Sequence, residues 1–183
     1  MKASTVSRRQ FLRGDIHGDH RPLRPPWALA EEAFIRECDR CGRCIQACPE
    51  GVLKVGSGGF PVVDYQHGEC TFCEACVEAC RPRVLRIVHD AQGRPNAPWD
   101  AEVRIGEHCI ARQGVVCQIC GEQCETRAIR FRRAAGGRVY PEVDNAECTG
   151  CGACVAPCPV RAITVNAASS EEEPKAEQRS MAQ

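Results

Sequence analysis

The sequence has few aromatic residues, almost no methionine, and no excess of either charge. Aromatic side chains make up 5% of the 183 residues, methionine occurs twice, and 24 basic residues balance 24 acidic ones. No stretch approaches the roughly 20 consecutive apolar residues that cross a bilayer. Zero net charge provides no basic field to attract nucleic acid. These absences predict neither a membrane span nor a nucleic-acid partner, and they leave little material for a conventional apolar core.

Cysteine, by contrast, is abundant, with 16 residues in the chain. Cysteine-dense chains are held together by disulfides or by metal centres. A secretory signal needs an apolar segment near the N-terminus, and the polar residues 13–22 occupy that place. We therefore expect a cytoplasmic protein. Because the cytoplasm keeps thiols reduced, metal centres are favoured over disulfides.

The cysteines form four quartets, and a short apolar segment follows each quartet at the same distance. The sixteen residues are Cys38, Cys41, Cys44 and Cys48; Cys70, Cys73, Cys76 and Cys80; Cys109, Cys117, Cys120 and Cys124; and Cys148, Cys151, Cys154 and Cys158. Phe60–Asp64 and Tyr140–Asp144 match each other, and each leads into the next quartet. The repeat is therefore a pair of pairs.

The spacing within the quartets indicates iron–sulfur chemistry. The first and fourth quartets read C-x2-C-x2-C-x3-C-P, the run that bacterial ferredoxins use to hold [4Fe-4S] clusters. Structural zinc sites take ligands in separated pairs, and a third cysteine two residues after the second does not suit one tetrahedral ion. In the second quartet the proline is displaced to Pro82. We predict four [4Fe-4S] clusters.

The third quartet is irregular, because seven residues separate Cys109 from Cys117. Cys109 must reach back across residues 110–116 to join the others. We predict that Cys109, rather than the adjacent His108, is the ligand. If this quartet is a degenerate relic, the chain holds three clusters.

In two-cluster ferredoxins the fourth cysteine of each run ligates the other cluster. Applied within sequential pairs, this rule predicts four ligand sets. They are Cys38, Cys41, Cys44 and Cys80; Cys70, Cys73, Cys76 and Cys48; Cys109, Cys117, Cys120 and Cys158; and Cys148, Cys151, Cys154 and Cys124. The alternative is nested pairing, in which the first quartet joins the fourth and the second joins the third.

These patterns predict an α+β fold with two tandem bacterial-type 2[4Fe-4S] ferredoxin-like domains. Small hairpins and short helices surround the clusters. We expect a flexible basic tail over residues 1–27, a first domain over 28–90, a linker over 91–106, a second domain over 107–166, and a disordered tail over 167–183. The linker assignment depends on the turn-rich segment 90–99.

The N-terminal segment Ser7–Arg13 resembles a twin-arginine export motif. Because the apolar region of an export signal is missing, a basic tail or a docking peptide is favoured. The candidate partner-binding residues are Arg8, Arg9, Phe11, Leu12 and Trp27.

The ordered set of motifs resembles the NapF family, ferredoxin-type accessory proteins of periplasmic nitrate reductase systems. The matching segments include Arg24–Trp27, Ile105–Cys109, the irregular Cys117–Cys124 run, and Val160–Thr164 after the last quartet. The resemblance implies a cytoplasmic iron–sulfur protein that contacts the catalytic subunit NapA before export and assists its maturation. The alternative is a soluble polyferredoxin that carries electrons to a reductase. No phosphate loop, flavin or nicotinamide fingerprint is present, so we do not expect an enzyme.

Overall fold

The computed structural model describes residues 22–133 and 139–168, which form short helices and strands. The described residues contain one 3-10 helix, Ser57–Gly59, and four α-helices: α1 Glu31–Glu37, α2 Arg43–Ala47, α3 Ala75–Glu78 and α4 Ile119–Glu122. The six strands are β1 Leu53–Val55, β2 Pro61–Val63, β3 Ala101–Ile105, β4 Ile129–Arg133, β5 Val139–Val143 and β6 Ile163–Ala167. Within these described residues, no helix is long and apolar enough to cross a membrane. Arg8, Arg9, Phe11 and Leu12, proposed to bind a partner, lie outside the described ranges.

The strands form three antiparallel pairs that follow the predicted repeat. β1 pairs with β2, and β4 pairs with β5, so each half of the chain has one hairpin. β3 pairs with β6 and encloses the second half, and an isolated bridge between Ala28 and Leu85 takes the same place in the first half. Each half thus contains a hairpin, which is closed by a strand pair in the second half and by a single bridge in the first. The α+β fold with two tandem ferredoxin-like domains is confirmed.

The range 91–106, assigned above to a linker, contains β3. Its residues alternate in burial: Val103 and Ile105 are 3% and 9% exposed, and Arg104 between them is exposed. This period of two is that of a strand with one buried face. In the described residues, Ala101 at the start of β3 pairs with Ala167 at the end of β6. The segment 101–105 is therefore a strand packed with the second half of the chain and not part of a linker.

Residues 22–27, assigned above to the flexible tail, pack into the fold. Leu23 is 6% exposed, and its carbonyl accepts a hydrogen bond of 2.8 Å from the Val63 N–H. Trp27 is 7% exposed, and its indole N–H donates to the carbonyl of Asn96 at 3.1 Å. Trp27 is therefore a core residue with little surface exposed to a partner, and its assignment to partner binding stays a prediction. An aromatic side chain beside prolines looks the same in sequence whether it is buried or exposed.

Each domain has its own apolar core, and cysteine side chains complete both of them. Phe34 is fully buried and joins α1 to Leu53 and Leu85 in the first domain. The core of the second domain contains Ile129 and Ile163. A third cluster lies between the domains, where Leu23, Val52 and Tyr65 pack against residues of the second domain. The scarcity of large apolar side chains is thus offset by thiols that occupy core positions.

Candidate metal centres

Four cavities in the described residues are lined by cysteines, and we number them I to IV. Cavity I is lined by Cys38, Cys41, Cys44 and Cys80; cavity II by Cys48, Cys70, Cys73 and Cys76; cavity III by Cys109, Cys117, Cys120 and Cys158; and cavity IV by Cys124, Cys148, Cys151 and Cys154. Each cavity combines three cysteines of one quartet with the last cysteine of the neighbouring quartet. The structure therefore brings together the sequentially paired sets, and not the nested ones.

Three of the cavities are of similar size. Counting the solvent at their mouths, cavities I, II and III hold about 330, 380 and 340 Å³. Cavity IV is wider, at about 1210 Å³, because it opens toward the loop of cavity II and includes Cys70 in its wall. Cavities I, II and III therefore match one another in size, and cavity IV does not.

The short helix α2 separates the third and fourth cysteines of its quartet. Cys44 lies within α2 and is buried at cavity I. Cys48, four residues later, would lie on the same face if the helix continued. The helix instead ends at Cys48, which has an extended backbone with φ −74° and ψ 110°. The chain therefore turns away at this residue, and Cys48 reaches cavity II.

The loop between the first two cysteines of a quartet supplies backbone N–H groups to sulfur. The second residue after the first cysteine has a left-handed backbone in three quartets, with φ of 56° at Arg40, 55° at Phe72 and 74° at Gly150. Each of these residues donates its N–H to the thiol two residues earlier. The Gly150 N–H lies 3.4 Å from the Cys148 sulfur. Such hydrogen bonds stabilise thiolates and tune the cluster they bind.

Left-handed residues recur at two further offsets. The residue after the second cysteine has φ of 72° at Gly42, 64° at Glu74 and 81° at Gly152. The third residue after the last cysteine is left-handed in all four quartets: Gly51, Arg83, Arg127 and Arg161. In each case its N–H donates to the carbonyl of that cysteine, at 3.0 to 3.2 Å. This tight turn leads the chain into the following apolar segment.

Burial opposes ionisation of the gathered thiols. Burial raises the pKa of Cys44 and Cys70 to about 11, and the negative charge of neighbouring thiolates contributes to the increase. The same causes raise the pKa of Cys76 and Cys154 to about 12. Without metal these thiols therefore keep their protons at neutral pH. Metal binding must release those protons, and the positive charge of the metal then offsets the repulsion among four thiolates.

The structure distinguishes the two candidate ligands of the irregular quartet. Cys109 is 8% exposed and lines cavity III, and its N–H donates to the Gly106 carbonyl at 3.1 Å. His108 is exposed, and its ring Nε2 lies 3.4 Å from the Arg161 carbonyl oxygen. The insertion begins inside the fold, where Ala111 is 3% exposed and packs in the core of the second domain, and it ends at the surface, where Val116 is 93% exposed. The extra residues therefore extend outward after Ala111, and Cys109 keeps the place of a first cysteine.

The donor set fits iron–sulfur clusters. Each cavity presents the four thiols of its set, the soft ligands that iron–sulfur clusters prefer, and the Cys70 thiol also lies in the wall of cavity IV. The N–H donors lie at equivalent places in the loops of three quartets, as a repeated anionic guest requires. Among the described residues, no group of three or more His, Cys, Asp or Glu side chains meets the geometry for a single metal ion.

The recurring non-glycine residues with left-handed backbones were missed by sequence reasoning. A left-handed backbone is not expected at Phe72, Arg40 and Glu74, because residues other than glycine and asparagine rarely adopt it. Their only sequence signal is the offset from cysteine, which they share with Gly150, Gly42 and Gly152 of other quartets.

Comparison with known proteins agrees with this geometry. Models of a 4Fe-4S dicluster domain match residues 37–85 and 114–175. The ferredoxin-type protein NapF of Escherichia coli K12 is 40% identical over 159 residues, covering 87% of this chain and 93% of that protein. NapF of Haemophilus influenzae is 39% identical over 176 residues, covering 91% and 97%. The methylamine utilization ferredoxin-type protein MauM of Paracoccus denitrificans is 34% identical over 152 residues, covering 76% and 68%.

The fold and the four thiol-lined cavities define an iron–sulfur electron-transfer protein of the ferredoxin class, with two dicluster domains. The matches extend over nearly the whole chain, well beyond the cysteine runs common to all ferredoxins. The chain belongs to the NapF family of ferredoxin-type proteins.

Proposed function

We propose that the sixteen cysteines hold four [4Fe-4S] clusters, one in each of cavities I to IV. The observation that supports this most directly is the three-plus-one composition of every cavity. When bound, such clusters take up and release single electrons. The role of the chain is to supply the thiolates, to donate loop N–H groups to sulfur, and to keep neighbouring cavities close through the shared helix α2.

Anaerobic iron and sulfide analysis tests the number of clusters. We expect about sixteen irons and as many sulfides per chain, four of each for every cube. About twelve would mean that one cavity stays empty, with cavity III the first to examine. Zinc in place of iron, or the absence of acid-labile sulfide, would refute the iron–sulfur assignment.

We further propose that the protein acts in the cytoplasm on the precursor of NapA, the catalytic subunit of periplasmic nitrate reductase, and assists its maturation before export. Membership of the NapF family supports this role. Co-purification of the tagged full chain with the NapA precursor tests it, and cell fractionation tests the compartment.

The structure determines how the N-terminal segment should be removed in that experiment. Deleting residues 1–27 would also delete Leu23 and Trp27, which are buried, and would damage the fold. Deletion of residues 1–21 leaves those core residues in place. We expect this shorter deletion, and the pair Arg8→Ala with Arg9→Ala, to weaken NapA binding while iron content is retained. Unchanged binding in both variants would exclude the N-terminal segment as the docking peptide.

A second function, electron delivery to a reductase, is favoured by the exposure of two cluster-site cysteines. Cys41 at cavity I and Cys73 at cavity II are exposed. An exposed ligand places the cluster site near the surface, where a redox partner can approach. Rapid oxidation of the reduced protein by mature nitrate reductase, without binding to the precursor, would favour this function over maturation.

A further inference from the structure

The two domains meet at the loops of cavities II and IV. The backbone N–H of Cys70, a residue of cavity II, donates to the carbonyl of Cys151, a residue of cavity IV, at 2.8 Å. Cys70 also forms part of the wall of cavity IV. The facing cavities are therefore separated by little more than the two loops that line them.

Tyr65 lies at this junction, just after β2. It is 6% exposed, and its hydroxyl donates to the carbonyl of Gly150 at 2.6 Å. Its ring covers Gly152 so closely that a Cβ added there would lie 2.2 Å from the ring. One side chain of the first domain thus contacts both glycines in the loop of cavity IV.

Trp99 supports Tyr65 from the side. The two rings meet edge to face with 6.3 Å between their centroids, and Phe72 of the cavity II loop meets Trp99 in the same way at 5.9 Å. The indole N–H of Trp99 donates to the Arg24 carbonyl at 2.8 Å, which fixes the ring. Aromatic pairs of this geometry contribute stability beyond that gained by burying their surfaces.

Within each domain, a short helix joins the two cavities. In the first domain, Cys44 lies within α2 and reaches cavity I, and Cys48 ends the helix and reaches cavity II. Cys120 lies in α4 at cavity III, and Cys124 follows the helix at cavity IV. Joined through the contact between domains, the four cavities follow the order I, II, IV, III, which differs from their order in the sequence.

We propose that Tyr65 is a positioning residue that fixes cavity IV against cavity II and so makes the four cavities one continuous electron path. This inference rests on the proposed binding of clusters in the cavities. The only chemistry that the proposal requires is the passage of one electron across the junction. The donor cluster is oxidised by one electron, and the acceptor cluster is reduced by one electron. No bond forms or breaks, and the Tyr65 phenol keeps its proton because its O–H is a hydrogen-bond donor.

The first test compares Tyr65→Ala with Tyr140→Ala in the iron-loaded full chain. Tyr140 is a partly buried tyrosine on β5 whose ring lies 6.0 Å from the Arg112 guanidinium, and it serves as the control. Hydrogen exchange is followed at the Cys70 amide. We expect at least about tenfold faster exchange in Tyr65→Ala, the change that a loss of 1.4 kcal/mol produces, and little change in Tyr140→Ala.

The second test measures magnetic coupling between the clusters by EPR. The background variant Cys41→Ala with Cys117→Ala removes one ligand from cavity I and one from cavity III, and leaves clusters in II and IV. In the reduced protein we expect spin–spin splitting between these two clusters, and its loss when Tyr65→Ala is added. Tyr65→Phe keeps the ring and removes only the hydrogen bond, and it should reduce the splitting less.

A glycine pair separates backbone strain from the contact with Tyr65. Gly152 and Gly42 hold equivalent positions after the second cysteine, with φ of 81° and 72°. A Cβ at Gly42 meets nothing within 4 Å. Gly152→Ala and Gly42→Ala therefore introduce similar backbone strain, but only Gly152→Ala also disturbs the contact with Tyr65. Only Gly152→Ala should therefore accelerate hydrogen exchange at the Cys70 amide.

The two levels of the proposal fail in different ways. Wild-type protein without iron and sulfide would refute the clusters themselves. Full iron content with unchanged Cys70 exchange and unchanged splitting in Tyr65→Ala would refute the positioning role alone. Absence of any splitting between clusters in cavities II and IV of the background variant would refute the continuous path.

Discussion

The crossing of the last cysteine of each quartet into the neighbouring cavity can be tested by counting iron in double variants. Cys41 and Cys80 belong to different quartets but line the same cavity, whereas Cys73 shares a quartet with Cys80 and lines cavity II. Substitutions in one site are not additive, because the second removes a ligand from a cluster that is already lost. The losses of iron caused by substitutions in separate sites add.

The expected iron counts follow from this geometry. Cys41→Ala with Cys80→Ala should lose one cluster and retain about twelve irons, four fewer than the full chain. Cys41→Ala with Cys73→Ala should lose two clusters and retain about eight. Anaerobic iron analysis with sulfide quantification provides both numbers, and EPR of the reduced protein detects any partial three-iron cluster. If Cys41→Ala with Cys80→Ala retains only about eight irons, each quartet binds its own cluster and the crossing is refuted.

Three further pairs of substitutions test the core, the irregular quartet and the closing strand pair. Phe34→Ala should lower the free energy of unfolding by about 3–5 kcal/mol in anaerobic urea titration, because Phe34 is fully buried. The neighbouring Ile35 is 46% exposed, so Ile35→Ala should lower the free energy of unfolding by less than about 0.5 kcal/mol. Cys109→Ala should remove about four irons per chain, whereas His108→Ala should remove none, and the reverse pattern would identify histidine as the ligand. Asn145→Ala should cost about 1 kcal/mol in the same titration, since its side-chain oxygen accepts a 2.9 Å hydrogen bond from β3. Asn145→Asp keeps that acceptor and should retain most of the stability; equal losses would exclude this hydrogen bond as the cause.

The hairpins could be predicted because their signals are local. Phe60–Asp64 and Tyr140–Asp144 are short matching segments that each follow a glycine-rich stretch; the first contains β2, and the second covers all of β5 except its first residue, Val139. The strand β3 was missed for the opposite reason. Its partner β6 lies about sixty residues away in the sequence, and its five residues carry no turn signal of their own. Pairing over that distance depends on the closed domain.

Trp27 and Tyr65 show how burial escapes sequence reasoning. Trp27 stands beside two prolines in a segment with basic residues, a composition that also suits a surface peptide. Its burial requires the carbonyl of Asn96, about seventy residues later. Tyr65 lies in an ordinary stretch after β2, and its contact with Gly150 spans 85 residues. Neither partner can be identified without the packed domains.

The kind of ligand that this protein offers can be inferred from its amino-acid sequence alone. Cysteine spacing is a local property, and the run of three cysteines followed by a fourth specifies ligands for iron–sulfur clusters wherever the loop folds. The tertiary structure decided which quartets are partners, that Cys109 rather than His108 reaches cavity III, and that cavities II and IV face each other across the two domains. These results depend on contacts between residues far apart in the chain. Such contacts form only when both domains pack, because the local spacing of the cysteines does not bring distant segments of the chain together.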